Sequence, residues 1–138
     1  MNEEQQLTYN ELISKYNFDK GQKEEIRLGL EQNLDISLYT NPEFDRFQME
    51  QIRLGLEKSL DVSIYSTTEF DFLQMQRIRW GLEDGIDVSI YAKPEFDDYQ
   101  MKQIKLGIEK GIDITIYLNP GITWMEMKKI RLELESNK

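Results

Sequence analysis

The sequence predicts an all-α fold, an α-solenoid of five 26-residue helix–turn–short-helix units, and three observations predict it. First, one string returns in register. Ile26-Arg27-Leu28-Gly29-Leu30 recurs at Ile52–Leu56, Ile78–Leu82, Ile104–Ile108 and Ile130–Leu134, without insertion or deletion. Second, each copy follows a residue pair spaced as a helix-capping box. Third, each of the first four copies is followed by Asp-Val-Ser-Ile-Tyr or a close variant. A fixed period of this length marks stacked units, none of which can hide its apolar surface alone.

The elements follow in chain order. Residues 1–18 are expected to form an amino-terminal capping helix, with Thr8 and Glu11 as its capping box. Residues 19–138 then form one continuous repeat domain, with units starting near 19, 45, 71, 97 and 123. Each long helix opens on a box in which the first side chain accepts from the N3 amide and the fourth reaches back. The pairs are Asp19 and Gln22, Asp45 and Gln48, Asp71 and Gln74, Asp97 and Gln100, with Thr123 and Glu126 in the fifth unit. The helices are expected to stop at Asn33, Ser59, Gly85, Gly111 and Asn137, mostly residues that tolerate a left-handed backbone. Asp35, Asp61, Asp87 and Asp113 then sit where a second N-cap belongs, which favours a short helix. The β-branched Asp-Val-Ser-Ile-Tyr leaves a horseshoe with a short strand per unit as the alternative. Pro42, Pro94 and Pro120 end the short element.

On the long helix of the second unit, Met49, Ile52 and Leu56 form one apolar stripe. Phe47 and Leu54 form another, roughly opposite. A helix apolar on two sides is expected to be buried between neighbours. A narrow face between the stripes carries Arg53 and Glu57. The same i,i+4 pair recurs as Arg27 with Glu31, Arg79 with Glu83, Lys105 with Glu109 and Arg131 with Glu135. These charges either neutralise one another at the surface or reach an anionic partner. The other narrow face holds Gly29, Gly55, Gly81 and Gly107. A helical glycine costs roughly 1 kcal/mol against alanine. Close packing of another backbone explains four at one register better than a ligand groove, because the fifth copy carries Glu133. Glu133 and the polar tail after Leu134 read as a cap, as do Gly21 and Lys23 in place of Phe47 and Met49. The sequence therefore reads as a complete solenoid.

Composition narrows the function classes. The chain has 138 residues and carries 26 acidic against 17 basic side chains, a net charge of -9, which argues against a nucleic-acid backbone as partner. Much of that acidity is spoken for by capping aspartates and paired glutamates. With no cysteine and no histidine, thiolate chemistry, the commonest zinc ligands and the commonest general base are missing. Phosphate loops, paired-carboxylate signatures and EF-hand spacing are absent too. No enzyme, metal or cofactor is expected. The polar amino terminus and the lack of a long apolar run predict a soluble cytoplasmic protein with no membrane partner.

The candidate contact residues are those on recurring or variable registers. Arg53, Arg79 and Lys105 could meet an anionic group. Tyr65 and Tyr91 belong to a tyrosine row with Tyr39 and Tyr117, either wall residues or interface anchors. Phe72 and Trp124 share a register with Arg46 and Asp98 that changes from unit to unit, as does the register of Glu50, Gln76, Lys102 and Lys128. In repeat scaffolds variable positions face outward. Ordinary inter-unit packing is the alternative for Phe72 and Trp124.

The core Phe-Asp-x-x-Gln-Met-x-x-Ile-Arg-x-Gly-Leu-Glu with its trailing Asp-Val-Ser-Ile-Tyr, over residues 19–138, resembles a group of short helical-repeat proteins. These belong to Gram-positive bacteria, their mobile elements and phages. The resemblance implies a repeat fold and a bacterial or phage setting, and no particular activity. The expected function is a non-enzymatic protein–protein interaction module. The alternative is a phage or mobile-element inhibitor of a host defence protein, acting by acidic occlusion or by sequestering a small anionic signal molecule. Oligomeric state is left open.

Overall fold

Capping chemistry decides where each helix starts. In the computed structural model, which describes residues 1–137, Asp45 accepts from the Gln48 amide at 2.8 Å while the Gln48 side chain accepts from the Asp45 amide at 2.8 Å. The same reciprocal pair opens the helices after Asp19, Asp71 and Asp97. The elements are α1 (Glu3–Lys15), α2 (Lys20–Glu31), α3 (Arg46–Glu57), α4 (Phe72–Glu83), α5 (Asp98–Glu109) and α6 (Trp124–Ser136). Thr123 caps α6 by accepting from the Glu126 amide at 3.2 Å. The chain start departs from expectation. Asn2 and Gln5 form the box for α1, and Thr8 lies inside that helix, bonded to the Glu4 carbonyl. Lys138, the last residue of the predicted repeat domain, lies outside the described residues.

Left-handed residues close the next four helices. Asn33, Ser59, Gly85 and Gly111 all have positive φ, between 57° and 71°. The following residue folds back in each case: the Leu60 amide donates to the Gly55 carbonyl at 3.0 Å, and Leu34, Ile86 and Ile112 repeat the bond. This six-to-one hydrogen bond satisfies a carbonyl the helix end would otherwise leave open. Asn137 differs, because its φ is −96°.

The second element is a single turn of 3-10 helix: Ile36–Leu38, Val62–Ile64, Val88–Ile90 and Ile114–Ile116. Asp61 caps its turn by accepting from the Ser63 amide at 3.2 Å. No strand occurs among the described residues, so the horseshoe alternative is excluded. Three residues suffice because this element must only turn the chain and lay one tyrosine on the preceding long helix.

Consecutive long helices pack side by side, α1 on α2 through to α5 on α6, and each 3-10 turn packs on the helix before it. Neighbours run parallel: between α3 and α4, Phe47 meets Phe72 near both helix starts and Gln51 meets Arg79 further along both, offsets of 25 and 28 residues. The core is one cluster along the row: Ile26, Ile52, Ile78 and Ile104, with Met49, Met75, Met101 and Met127, are fully buried. Burying each such side chain contributes about 1.5–3 kcal/mol. Phe18, Phe44, Phe70 and Phe96 complete it from the loops before α2 to α5.

A long-range staple ties the units together. The Gln48 side-chain amide, already used in its cap, donates to the Phe70 carbonyl at 2.7 Å. Gln22, Gln74 and Gln100 make the equivalent bond to Phe44, Phe96 and Ile122. One residue thus starts its own helix and fixes the entry to the next.

Candidate functional site

The long helices expose one face and bury the other, and tyrosine defines the buried one. Tyr65 has no exposed surface, and its hydroxyl donates to the Gln51 carbonyl at 2.6 Å. Tyr39 and Tyr117 donate to Glu25 and Gln103 in the same way. Burial raises all four phenols, and Tyr117 is pushed up to about 12. Tyr91 is equally buried, but its hydroxyl has no hydrogen-bond partner. Tyr65 and Tyr91 therefore present nothing to a partner, which corrects their place among the candidates. The glycines explain how the rings fit. A Cβ on Gly55 would lie 2.6 Å from a Val62 methyl and closer still to the Tyr65 hydroxyl. Side chains, rather than another backbone, fill that space.

The candidate arginines Arg53 and Arg79 are committed inside the protein. Arg53 pairs with Glu57 on its own helix and, through Nε, with Glu25 on α2. Arg79 is 7% exposed, donates to Gln51 at 3.0 Å and pairs with Glu83 at 2.7 Å. Arg131 repeats this with Gln103 and Glu135. Burial pushes the Glu25 carboxyl above its usual range, and the Arg53 guanidinium opposes that shift. Lys105 breaks the pattern, because the residue at the equivalent acceptor position is Arg77. It turns instead to Asp84, with Glu109 at 3.7 Å. Arg77 in turn lies over the Trp80 ring, 5.3 Å from its centroid.

The outer face is where the second apolar stripe lies, and it is not buried as expected. Phe47 is 44% exposed, Tyr99 52% and Met125 61%, and Leu73, Trp80 and Leu132 are exposed as well. Phe72 and Trp124 are half-buried, each packed against the exposed aromatic of the preceding helix, tilted for Phe72 and stacked for Trp124. The ring centroids are 5.2 Å apart for Phe47 with Phe72 and 5.4 Å for Tyr99 with Trp124. The Arg46 guanidinium lies 4.8 Å from the centre of the Phe47 ring. Both earlier readings of Phe72 and Trp124 thus hold in part. They pack between units, and the pairs they form stay open to solvent. Sequence reasoning missed Phe47, Leu73, Tyr99 and Met125. Their shared register, with Phe, Leu, Tyr and Met in turn, was the available signal.

Between α4 and α5 the outer face dips into a small pocket of about 120 Å³ walled by Arg77, Trp80, Lys102 and Lys105. That is well below the few hundred Å³ of ordinary small-molecule sites. No group of three or more acidic side chains is placed to hold a metal ion among the described residues. No helix among them is long and apolar enough to cross a membrane. No protein-family model matches the chain, and neither does any curated protein or solved structure.

Proposed function

We propose that the chain is an α-solenoid of five units and works as a protein-interaction module, binding through the outer face of its long helices. One observation carries the reading: exposed apolar side chains follow one another across α3 to α6 on registers whose residues change from unit to unit. Contiguous exposed apolar surface marks interaction sites on soluble proteins. Aromatic and arginine side chains of the kind found at Phe47, Trp80, Tyr99 and Arg46 dominate binding energy in protein interfaces. Helix α1 packs on α2 at one end of the row, and the resemblance to bacterial and phage repeat proteins supports a bacterial or phage setting. The rival reading as an inhibitor by acidic occlusion finds less support here, because Arg46, Arg77, Lys102 and Lys128 share this face with the acids.

The test is affinity capture from source-cell lysate with the wild-type chain and with Phe47→Asp and Trp80→Asp variants. Circular dichroism establishes that the variants keep their helices. Loss of the captured protein with both variants supports the outer face. Capture that survives both moves the binding surface elsewhere, and release by moderate salt favours the inhibitor.

A further inference from the structure

The crest of the outer face carries a charge series. From α2 to α6 one register reads Glu24, Glu50, Gln76, Lys102, Lys128, acidic to neutral to basic. Glu24 is paired with Arg27 on its own helix, whereas within the described residues Glu50, Lys102 and Lys128 have no ion-pair partner, so these three charges are not consumed by the fold. A neighbouring register runs the opposite way: Arg46 on α3, Phe72 on α4, Asp98 on α5. Asp98 is likewise without an ion pair, and Arg46 only covers the Phe47 ring. Both series change sign about the same helix, α4. The apolar registers are symmetric about it too, with Phe47 and Tyr99 flanking Leu73, and Leu54 and Leu106 flanking Trp80.

From this we infer that the occupant of the outer face is a second copy of the chain, turned about a two-fold axis along α4. The inference rests on the interaction-module reading and names its partner. Rotation about that axis keeps helix direction and reverses unit order, so residues at equal height on α3 and α5 face each other. Glu50 then meets Lys102 of the other copy, Glu24 lies towards Lys128, and Arg46 towards Asp98. Gln76, Phe72 and Trp80 lie at the axis, opposite themselves. A two-fold interface must be self-complementary in this sense, each contact made twice. The alternative two-fold, across the helices, sets each unit on its own counterpart with the facing helices antiparallel, so that Arg46 meets Glu50 and Asp98 meets Lys102 of the other copy. The mirrored placing of charge and of Phe47 and Tyr99 about α4 favours the reversed order. Like charges facing across an interface oppose association, and exchanging the charges of Glu50 and Lys102 restores opposite pairs only in the reversed order.

The experiment uses the purified full chain alone, by sedimentation equilibrium across protein concentration and salt. The expected result is a reversible monomer–dimer equilibrium that weakens as salt rises. Glu50→Lys and Lys102→Glu each place like charges together twice per dimer, and each is expected to raise the dissociation constant by roughly tenfold or more. The double variant Glu50→Lys with Lys102→Glu restores both pairs and returns the constant towards wild type. A chain that stays monomeric at every concentration overturns the proposal, as does open-ended assembly. So does a dimer indifferent to the single changes, or one the double variant fails to restore. A monomer that still captures another protein through Phe47 and Trp80 sinks the dimer alone. A monomer that captures nothing sinks the interaction-module reading with it.

Discussion

Along the inner face the same side chain meets the same partner in unit after unit. Tyr39, Tyr65 and Tyr117 each donate to a carbonyl of the preceding long helix, over a glycine and beside a branched Ile or Val. Along the outer face the register of Phe72 holds Lys, Arg, Phe, Asp and Trp in turn, and the register of Gln76 shifts from Glu to Lys. The difference lies in tolerance. Inside, an extra methyl has no room and an unmatched hydroxyl lies out of reach of bulk solvent. Outside, a changed side chain disturbs only its own exposed neighbours. A sequence can therefore vary on the outer face while the inner face holds the helices together.

The largest effect that would sharpen this contrast is alkaline unfolding. The four buried phenols are raised above the ordinary value of 10.0. Their stabilisation is fully present below that value, since folded and unfolded chains then bind the same proton. Above it the unfolded chain ionises first, and stability falls as pH rises towards the folded values. Each tyrosine contributes up to about 1.4 kcal/mol per pH unit in that window. Four together are expected to unfold the chain in one transition, with tyrosinate absorbance rising as helical circular dichroism is lost. Tyrosinate appearing in a chain that stays helical would show that the inner face is open to solvent.

Gly55→Ala tests the same face by steric means. Overpacking costs typically 1–3 kcal/mol, against a helix-propensity gain of up to about 1 kcal/mol. The expected outcome is a lower urea midpoint. Glu133→Ala at the equivalent register of α6, which no 3-10 turn follows among the described residues, is expected to leave the midpoint unchanged or raise it. Equal behaviour of the two would mean that the glycine register is not set by the tyrosine above it.

What could be read from the sequence was local. Capping boxes, left-handed helix ends and the Arg53–Glu57 type of pair join residues two to five positions apart, so spacing alone specifies them. The bonds that join units were invisible for the converse reason. Nothing in Gln48 announces a second bond to the Phe70 carbonyl, and nothing in Arg53 points to Glu25 on the helix before. The outer stripe was misjudged because periodicity counts apolar faces and cannot tell which of two will be covered. Here a one-turn 3-10 element covers only the glycine side, so Phe47 stays exposed and Leu54 is only half-buried. The tyrosines were misread in the opposite sense. An amphipathic ring suits an edge or a core, and the glycine ten residues before it decides between them only once the turn is known to fold back.

The smallest effect is the most discriminating, because it sets two copies of one residue against each other. The Tyr65 hydroxyl is buried and donates to the Gln51 carbonyl, whereas the Tyr91 hydroxyl is buried without a partner. A satisfied buried hydrogen bond contributes about 0.5–1.5 kcal/mol, while an unsatisfied buried hydroxyl carries a desolvation cost of about 1–3 kcal/mol. Tyr65→Phe is therefore expected to lower stability by about 1 kcal/mol. Tyr91→Phe, which changes the same atom at the same register, is expected to be neutral or stabilising. The junction explains the asymmetry in part: Tyr91 sits over α4, where Arg77 and Lys105 replace the acceptor–arginine bond found at the α2–α3, α3–α4 and α5–α6 junctions. Urea midpoints for the two variants measure the difference directly. Equal losses would mean that the inner face is uniform and that the Tyr91 hydroxyl finds an acceptor in solution. Opposite signs would identify the α4–α5 junction as the one place where the inner face has given up a bond, beneath the helix about which the outer charges change sign.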